Sequence, residues 1–165
     1  MKNLTATICL TIAVLLGSSG VSWSADAQKG VDAYENGDYL AAVHEWKPLA
    51  ENGDAVFQGM LGSIYCRGKP GINKDHKKAL KWFTLAAEQG NANAQTNLGV
   101  MYDKGQGIIQ DNVYAHMWWN IAASSGESKN ASNNRDIVAG RMTPAQIADA
   151  QKLARECVRK KYKGC

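Results

Sequence analysis

The sequence predicts an all-helical protein, an α-solenoid of antiparallel helix pairs closed by a C-terminal capping helix. Three observations carry this. First, the chain repeats itself. Shifted by 37 positions, Ala42, Trp46, Ala50, Gly53, Leu61, Gly62, Tyr65 and Gly68 fall on Ala79, Phe83, Ala87, Gly90, Leu98, Gly99, Tyr102 and Gly105. Beyond one extra residue in Lys69-Pro70-Gly71 the shift becomes 36, and Asp75, Trp82, Phe83, Ala87 and Gly90 fall on Asp111, Trp118, Trp119, Ala123 and Gly126. A period in the mid-thirties means stacked helical hairpins, because one hairpin cannot bury its apolar face without the next. Second, Asn36-Gly37-Asp38, Asn52-Gly53-Asp54 and Gln89-Gly90-Asn91 each join a glycine that ends one helix to a side chain that caps the next. Third, the segments between these marks, roughly 12 to 15 residues long, space apolar groups at helical intervals, as in Ala79, Trp82, Phe83, Ala86 and Ala87, and none reads as strand.

The elements follow in order. Lys2, the apolar run Ile8 to Leu16 and the small residues Gly17 to Gly20 read as a secretory signal peptide over residues 1–24. Cleavage after Ser24 or after Ala27 satisfies the small-residue rule equally well. The run is shorter than the roughly 20 residues a membrane-spanning helix needs, so no membrane insertion is expected after cleavage. Helices are expected over 26–36, 39–52, 54–67, 76–89, 91–104, 112–125, 129–140 and 144–161. They form one domain, residues 25–165: a lead-in helix at 26–37, repeats near 38–74 and 75–110, a partial repeat at 111–140, and a cap with its tail at 141–165.

Within the repeats, Ala42, Ala79 and Ala115, with Ala50, Ala87 and Ala123, let helices approach closely, while Trp46, Phe83 and Trp119 fill the space between hairpins. Gly62 and Gly99 stand in mid-helix at a propensity cost of about 1 kcal/mol each, which makes sense only where a neighbouring backbone or ring needs the room. Gly71-Ile72 and Gly107-Ile108 turn the chain and tuck an aliphatic side chain beneath. After Gly126 the pattern breaks off. Thr143-Pro144-Ala145-Gln146 then supplies a capping box with proline at the first helical position. Ile147, Ala150, Leu153, Ala154 and Cys157 make one apolar stripe, with Asp149, Lys152, Glu156 and Arg159 opposite, as a solenoid end requires.

Without Lys2 the chain carries 18 basic and 15 acidic residues, too small a bias to name a partner. Lys152, Arg155, Arg159, Lys160, Lys161 and Lys163 cluster near the end and read as a solvated outer face, with no nucleic-acid partner for an exported protein. Cys157 and Cys165 bracket a span short enough to fold back through Gly164, and are expected to pair, for about 2 to 3 kcal/mol by the chain-entropy estimate. Cys66 is left over and reads as a buried or inert thiol, with a reactive thiol or an intermolecular bridge as the alternative. His44, His76 and His116 occupy different repeat columns, without metal-ligand spacing, and read as surface or half-buried histidines. Trp82, Trp118 and Trp119 read as core.

Ala94-Gln95-x-x-Leu98-Gly99-x-x-Tyr102-x-x-Gly105-x-Gly107-Ile108-x-x-Asp111, followed by Ala115, Trp118-Trp119 and Ala122-Ala123, resembles the Sel1-like repeat, a relative of the tetratricopeptide repeat. Asn134-Arg135-Asp136, Met142-Thr143-Pro144 and Gln151 to Glu156 resemble the C-terminal extension of small exported bacterial members. The resemblance implies a noncatalytic scaffold that binds another protein; with the signal peptide, the chain is expected in the periplasm or outside the cell, as a monomer without cofactor or metal. An adaptor and an immunity protein against a secreted toxin both fit this class. The enzymatic alternative, action on β-lactams or cell-wall molecules, belongs to relatives with a cysteine pair in each repeat. Here Cys66 is answered by Asp103, and no Ser-x-x-Lys precedes a Lys-Thr-Gly. If tetratricopeptide geometry holds, the first helix of each pair turns Leu61, Tyr65, Leu98 and Tyr102 inward. Gln58, Ser63, Arg67, Gln95, Asn97, Val100 and Lys104 then face outward or into the concave groove, and form the candidate protein-binding set.

Overall fold

The computed structural model describes residues 25–126 and 128–165; the expected signal peptide lies outside the described residues. Among the described residues eight helices follow one another: α1 (Ala25–Glu35), α2 (Tyr39–Glu51), α3 (Ala55–Arg67), α4 (His76–Ala87), α5 (Ala92–Lys104), α6 (Asn112–Ser124), α7 (Lys129–Ala139) and α8 (Pro144–Arg159). Their bounds fall within two residues of those read from the sequence. Five of the N-termini are closed by the expected aspartates and asparagine: Asp38 accepts from the Ala41 N–H, Asp54 from Val56 and Phe57, Asp75 from Lys78, Asn91 from Ala94, and Asp111 from Val113 and Tyr114. These bonds satisfy amide groups that a helix start leaves without a partner. Thr143 and Gln146 form the capping box that opens α8. At the other end of α5, Gly105 takes φ 64° and its N–H reaches the Met101 carbonyl, a conformation that a side chain disfavours.

The helices pack most extensively as α1 with α2, α3 with α4, and α5 with α6; α3 also meets α5, α5 meets α7, and α8 lies on α6. One packing device holds all three pairs. A Cβ placed on Gly62 would stand 2.6 Å from Cδ1 of Phe83, and one on Gly99 or Gly30 would run into the indole of Trp119 or Trp46. Each aromatic ring of a second helix therefore sits where a first helix has no side chain. The Trp119 indole N–H donates to the Thr96 carbonyl at 3.0 Å and that of Trp46 to the Ala27 carbonyl at 3.4 Å. In both, the acceptor lies three residues before the glycine. Phe83 has no N–H to give, and the matching carbonyl, Gly59, accepts the Ser63 hydroxyl at 3.1 Å instead. The lead-in helix thus belongs to a further pair of the same build.

Three clusters of buried side chains run along the stack. Ala42, Trp46, Phe57, Leu61 and Ile64 fill the N-terminal end; Ala79, Phe83, Leu98, Met101, Trp118 and Ala154 fill the middle; Ala115, Trp119, Ala131 and Val138 seat α7. Ile72 is buried under its turn and Ile108 half-buried under the next. Cys157 and Cys165 form a disulfide, with Cα atoms 5.5 Å apart. The chain turns back earlier than Gly164, because Lys161 and Tyr162 already adopt φ of 53° and 65°, and this ends α8 at Arg159. The Tyr162 ring lies against Gly90, and the Gly164 N–H donates to Glu88 at 3.0 Å.

Candidate protein-binding face

Residues 60, 63 and 67 on α3 stand three and four positions apart, so they share one helical face; 97, 100 and 104 share the matching face of α5. α3 and α5 also meet, which makes the two columns together a candidate strip. Met60, Ser63, Asn97 and Val100 are half-buried, and Arg67 and Lys104 are exposed. Neither cation has an ion-pair partner among the described residues. The Ser63 hydroxyl donates to Gly59 and the Asn97 amide to the Asn93 carbonyl at 2.8 Å. Val100 packs on the cluster that seats α7.

Gln58 and Gln95 do not belong to it, against the sequence expectation. Both are buried. The Gln58 amide donates to the Ala50 carbonyl at 2.9 Å, and that of Gln95 to the Ala87 carbonyl at 3.2 Å. Each glutamine ties a first helix to the last turn of the helix before it, and Gln89 adds a bond to the Gln58 side-chain carbonyl at 2.8 Å. Their signal was in the chain, since an identical residue at a shift of 37 is a packing residue by the logic that identified the alanines. Met60 was the omission: it shares a repeat column with Asn97.

Cys66 lies half-buried beside this strip, and is a free thiol. Burial pushes its pKa up, while Arg67, Lys74 and Lys104 pull it down without cancelling that effect, so the thiol keeps its proton at neutral pH. The three cations make this end of the strip positive. Trp82, Trp118 and Trp119 are all buried, in keeping with core roles. Among the described residues no group of three His, Cys, Asp or Glu side chains is placed to hold a metal ion.

His116 corrects the expectation of a surface or half-buried histidine. It is buried, and its Nδ1 has no hydrogen-bond partner among the described residues. Burial lowers its pKa and nearby Arg135 lowers it further, with Asp136 opposing. The unfolded chain therefore takes up this proton at a higher pH than the folded one. The stability that neutral His116 contributes is complete above about pH 6.5 and is lost as the pH falls below it. We expect the melting temperature of the native protein to fall more steeply on acidification below about pH 6.5 than that of His116→Gln. Equal slopes would show that another group controls this range.

A model of the Sel1 repeat matches residues 55–91 and 92–127, which frames α3 with α4 and α5 with α6, the pairs that pack most extensively. The structure is similar to c5321, a protective antigen present in uropathogenic Escherichia coli strains and displaying an SLR fold. The TM-score is 0.76 at 28% identity, over 83% of this chain and 31% of that one. It is also similar to a Sel1 repeat protein from Oxalobacter formigenes, with TM-score 0.59 and 32% identity, over 66% of this chain and 43% of that one. The chain thus spans less than half the length of either. No curated protein matches it.

Proposed function

Since the chain carries two Sel1 repeats, at 55–91 and 92–127, we propose that it is an exported, noncatalytic scaffold that binds another protein along the strip formed by α3 and α5. One observation supports this reading above others. The residues that repeat identically are used in packing, whereas the half-exposed columns differ between copies: Met60 answers Asn97 and Ser63 answers Val100. Packing asks for sameness at equivalent positions. Variation on a shared face, ending in the cations Arg67 and Lys104, suits recognition of one particular partner, with an acidic feature opposite that end. Half-buried apolar side chains such as Met60 and Val100, flanked by polar groups, match the make-up of an interface core and rim.

The test is affinity capture with the immobilised chain, native against Arg67→Glu/Lys104→Glu. Neither side chain is buried, so the variant should melt with the native protein. A protein retained by the native chain and lost by the variant is the expected result. Equal retention by both, or none by either, would overturn the assignment.

A further inference from the structure

The capping end of the molecule carries a second surface, remote in kind from the strip on α3 and α5. Lys152, Arg155 and Arg159 on α8, with Lys160, Lys161 and Lys163 in the hook behind it, are all exposed. None of the six forms an ion pair among the described residues. Five cations elsewhere are paired, Lys29 with Asp26, Lys47 with Glu51, Lys78 with Asp75, Arg135 with Asp136, and Arg141 with Asp103, whereas Arg67, Lys69, Lys74, Lys77, Lys81 and Lys104 form no ion pair among the described residues. Arg155 and Arg159 stand one helical turn apart, a like-charge spacing that costs stability.

The hook is also built rather than loose. Lys161 and Tyr162 are held in the left-handed region by the Cys157–Cys165 disulfide, by the Tyr162 ring on Gly90, and by the bond from Gly164 to Glu88. Its lysines are therefore presented beside the end of α8 in a fixed turn. The charge of the whole chain is lopsided in the same sense. Residues 25–66 hold seven acidic and two basic side chains, while 67–165 hold eight acidic and sixteen basic. Six of those sixteen lie on α8 and in its hook, which therefore share in drawing this part of the chain toward an anionic surface.

The shape of this face narrows the occupant. It is the outer side of a terminal helix, and the hollow on it, about 300 Å³ between Lys152, Arg155, Glu156 and Arg159, is too small to enclose an extended acidic peptide. The aromatic residue of the hook, Tyr162, is turned onto Gly90, which leaves no ring for stacking bases. The apolar stripe of α8, with Ala150, Ala154 and Cys157 buried, faces the core, so the helix does not insert into lipid. A broad anionic plane requires none of these features. We propose that the outer face of α8 and its hook dock peripherally on a bilayer rich in anionic phospholipid, leaving the strip on α3 and α5 to its own partner.

Residues 25–165, which contain all three core clusters, should co-sediment with vesicles of phosphatidylglycerol and phosphatidylcholine about tenfold more than with phosphatidylcholine alone at ~0.1 M salt. The preference should vanish at ~1 M, where the screening length has fallen from about 10 to about 3 Å. Arg155→Glu/Arg159→Glu should abolish the preference with an unchanged melting temperature, since both side chains point to solvent. Equal binding to neutral vesicles, undiminished binding by the variant, or tighter binding of duplex DNA or polyglutamate than of anionic vesicles would each overturn the proposal. None of these outcomes bears on the protein-binding strip.

Discussion

Gly99→Val should destabilise the protein by about 3 kcal/mol or more, lowering its melting temperature by roughly 10 °C. The new side chain would enter the indole of Trp119. That ring cannot step aside cheaply, because its N–H is bonded to the Thr96 carbonyl on the same helix as Gly99 and it is buried in the cluster that seats α7. Relief would require parting α5 from α6. An unchanged melting temperature would mean that these two helices do not meet at Gly99.

The second large effect lies at the socket of the preceding pair and shows itself as a change of sign. Phe83→Ala should cost about 3 to 5 kcal/mol, as truncation of a buried aromatic does. Phe83 is buried in the middle cluster with Leu98, Met101 and Trp118, and those neighbours are held by their own helices, so the cavity will not collapse. Gly62→Ala alone should also destabilise, because its Cβ meets the Phe83 ring. In the Phe83→Ala background the obstacle is gone. There Gly62→Ala should stabilise by about 0.5 to 1 kcal/mol, the ordinary helix preference for alanine over glycine. Urea unfolding of the four proteins gives the coupling directly. Additive effects would contradict the socket.

Both experiments rest on a reading that the sequence already carried: a mid-helix glycine repeated at a shift of 37 announces a close approach. The capping aspartates, the capping box of α8 and the tail disulfide were legible for the same reason, since each depends on residues near one another in the chain. The pair formed by α1 and α2 was not. Gly30 and Trp46 are 16 residues apart, whereas Gly62 and Phe83 are 21 apart, because Asn36-Gly37-Asp38 is a shorter turn than the one between Gly68 and Asp75. No constant shift brings the two sockets into line. His116 was misjudged because α6 is covered by α5, α7 and α8 together. At the repeat-equivalent position Leu80 is only partly buried, so the column itself gave no warning.

The candidate site was half legible. Helical spacing placed Ser63 with Arg67, and Asn97 with Val100 and Lys104, on shared helix faces, since those faces follow from periodicity alone. It misplaced Gln58 and Gln95, whose polar ends suggested solvent. Their amides instead satisfy carbonyl groups at the ends of α2 and α4, and groups so buried need such partners. Which polar side chain is spent on the backbone and which is left for a partner is decided by contacts between repeats, and these have no local signature.

The most direct test of the account is site-specific photo-crosslinking, with the reactive group at Asn97 in the strip or at exposed His44 on α2, in envelope and secreted extracts. A single protein captured from Asn97, absent from His44, and lost on Arg67→Glu/Lys104→Glu is the predicted result. The same set of proteins captured from both positions, or none from Asn97, would contradict a partner-binding strip on α3 and α5.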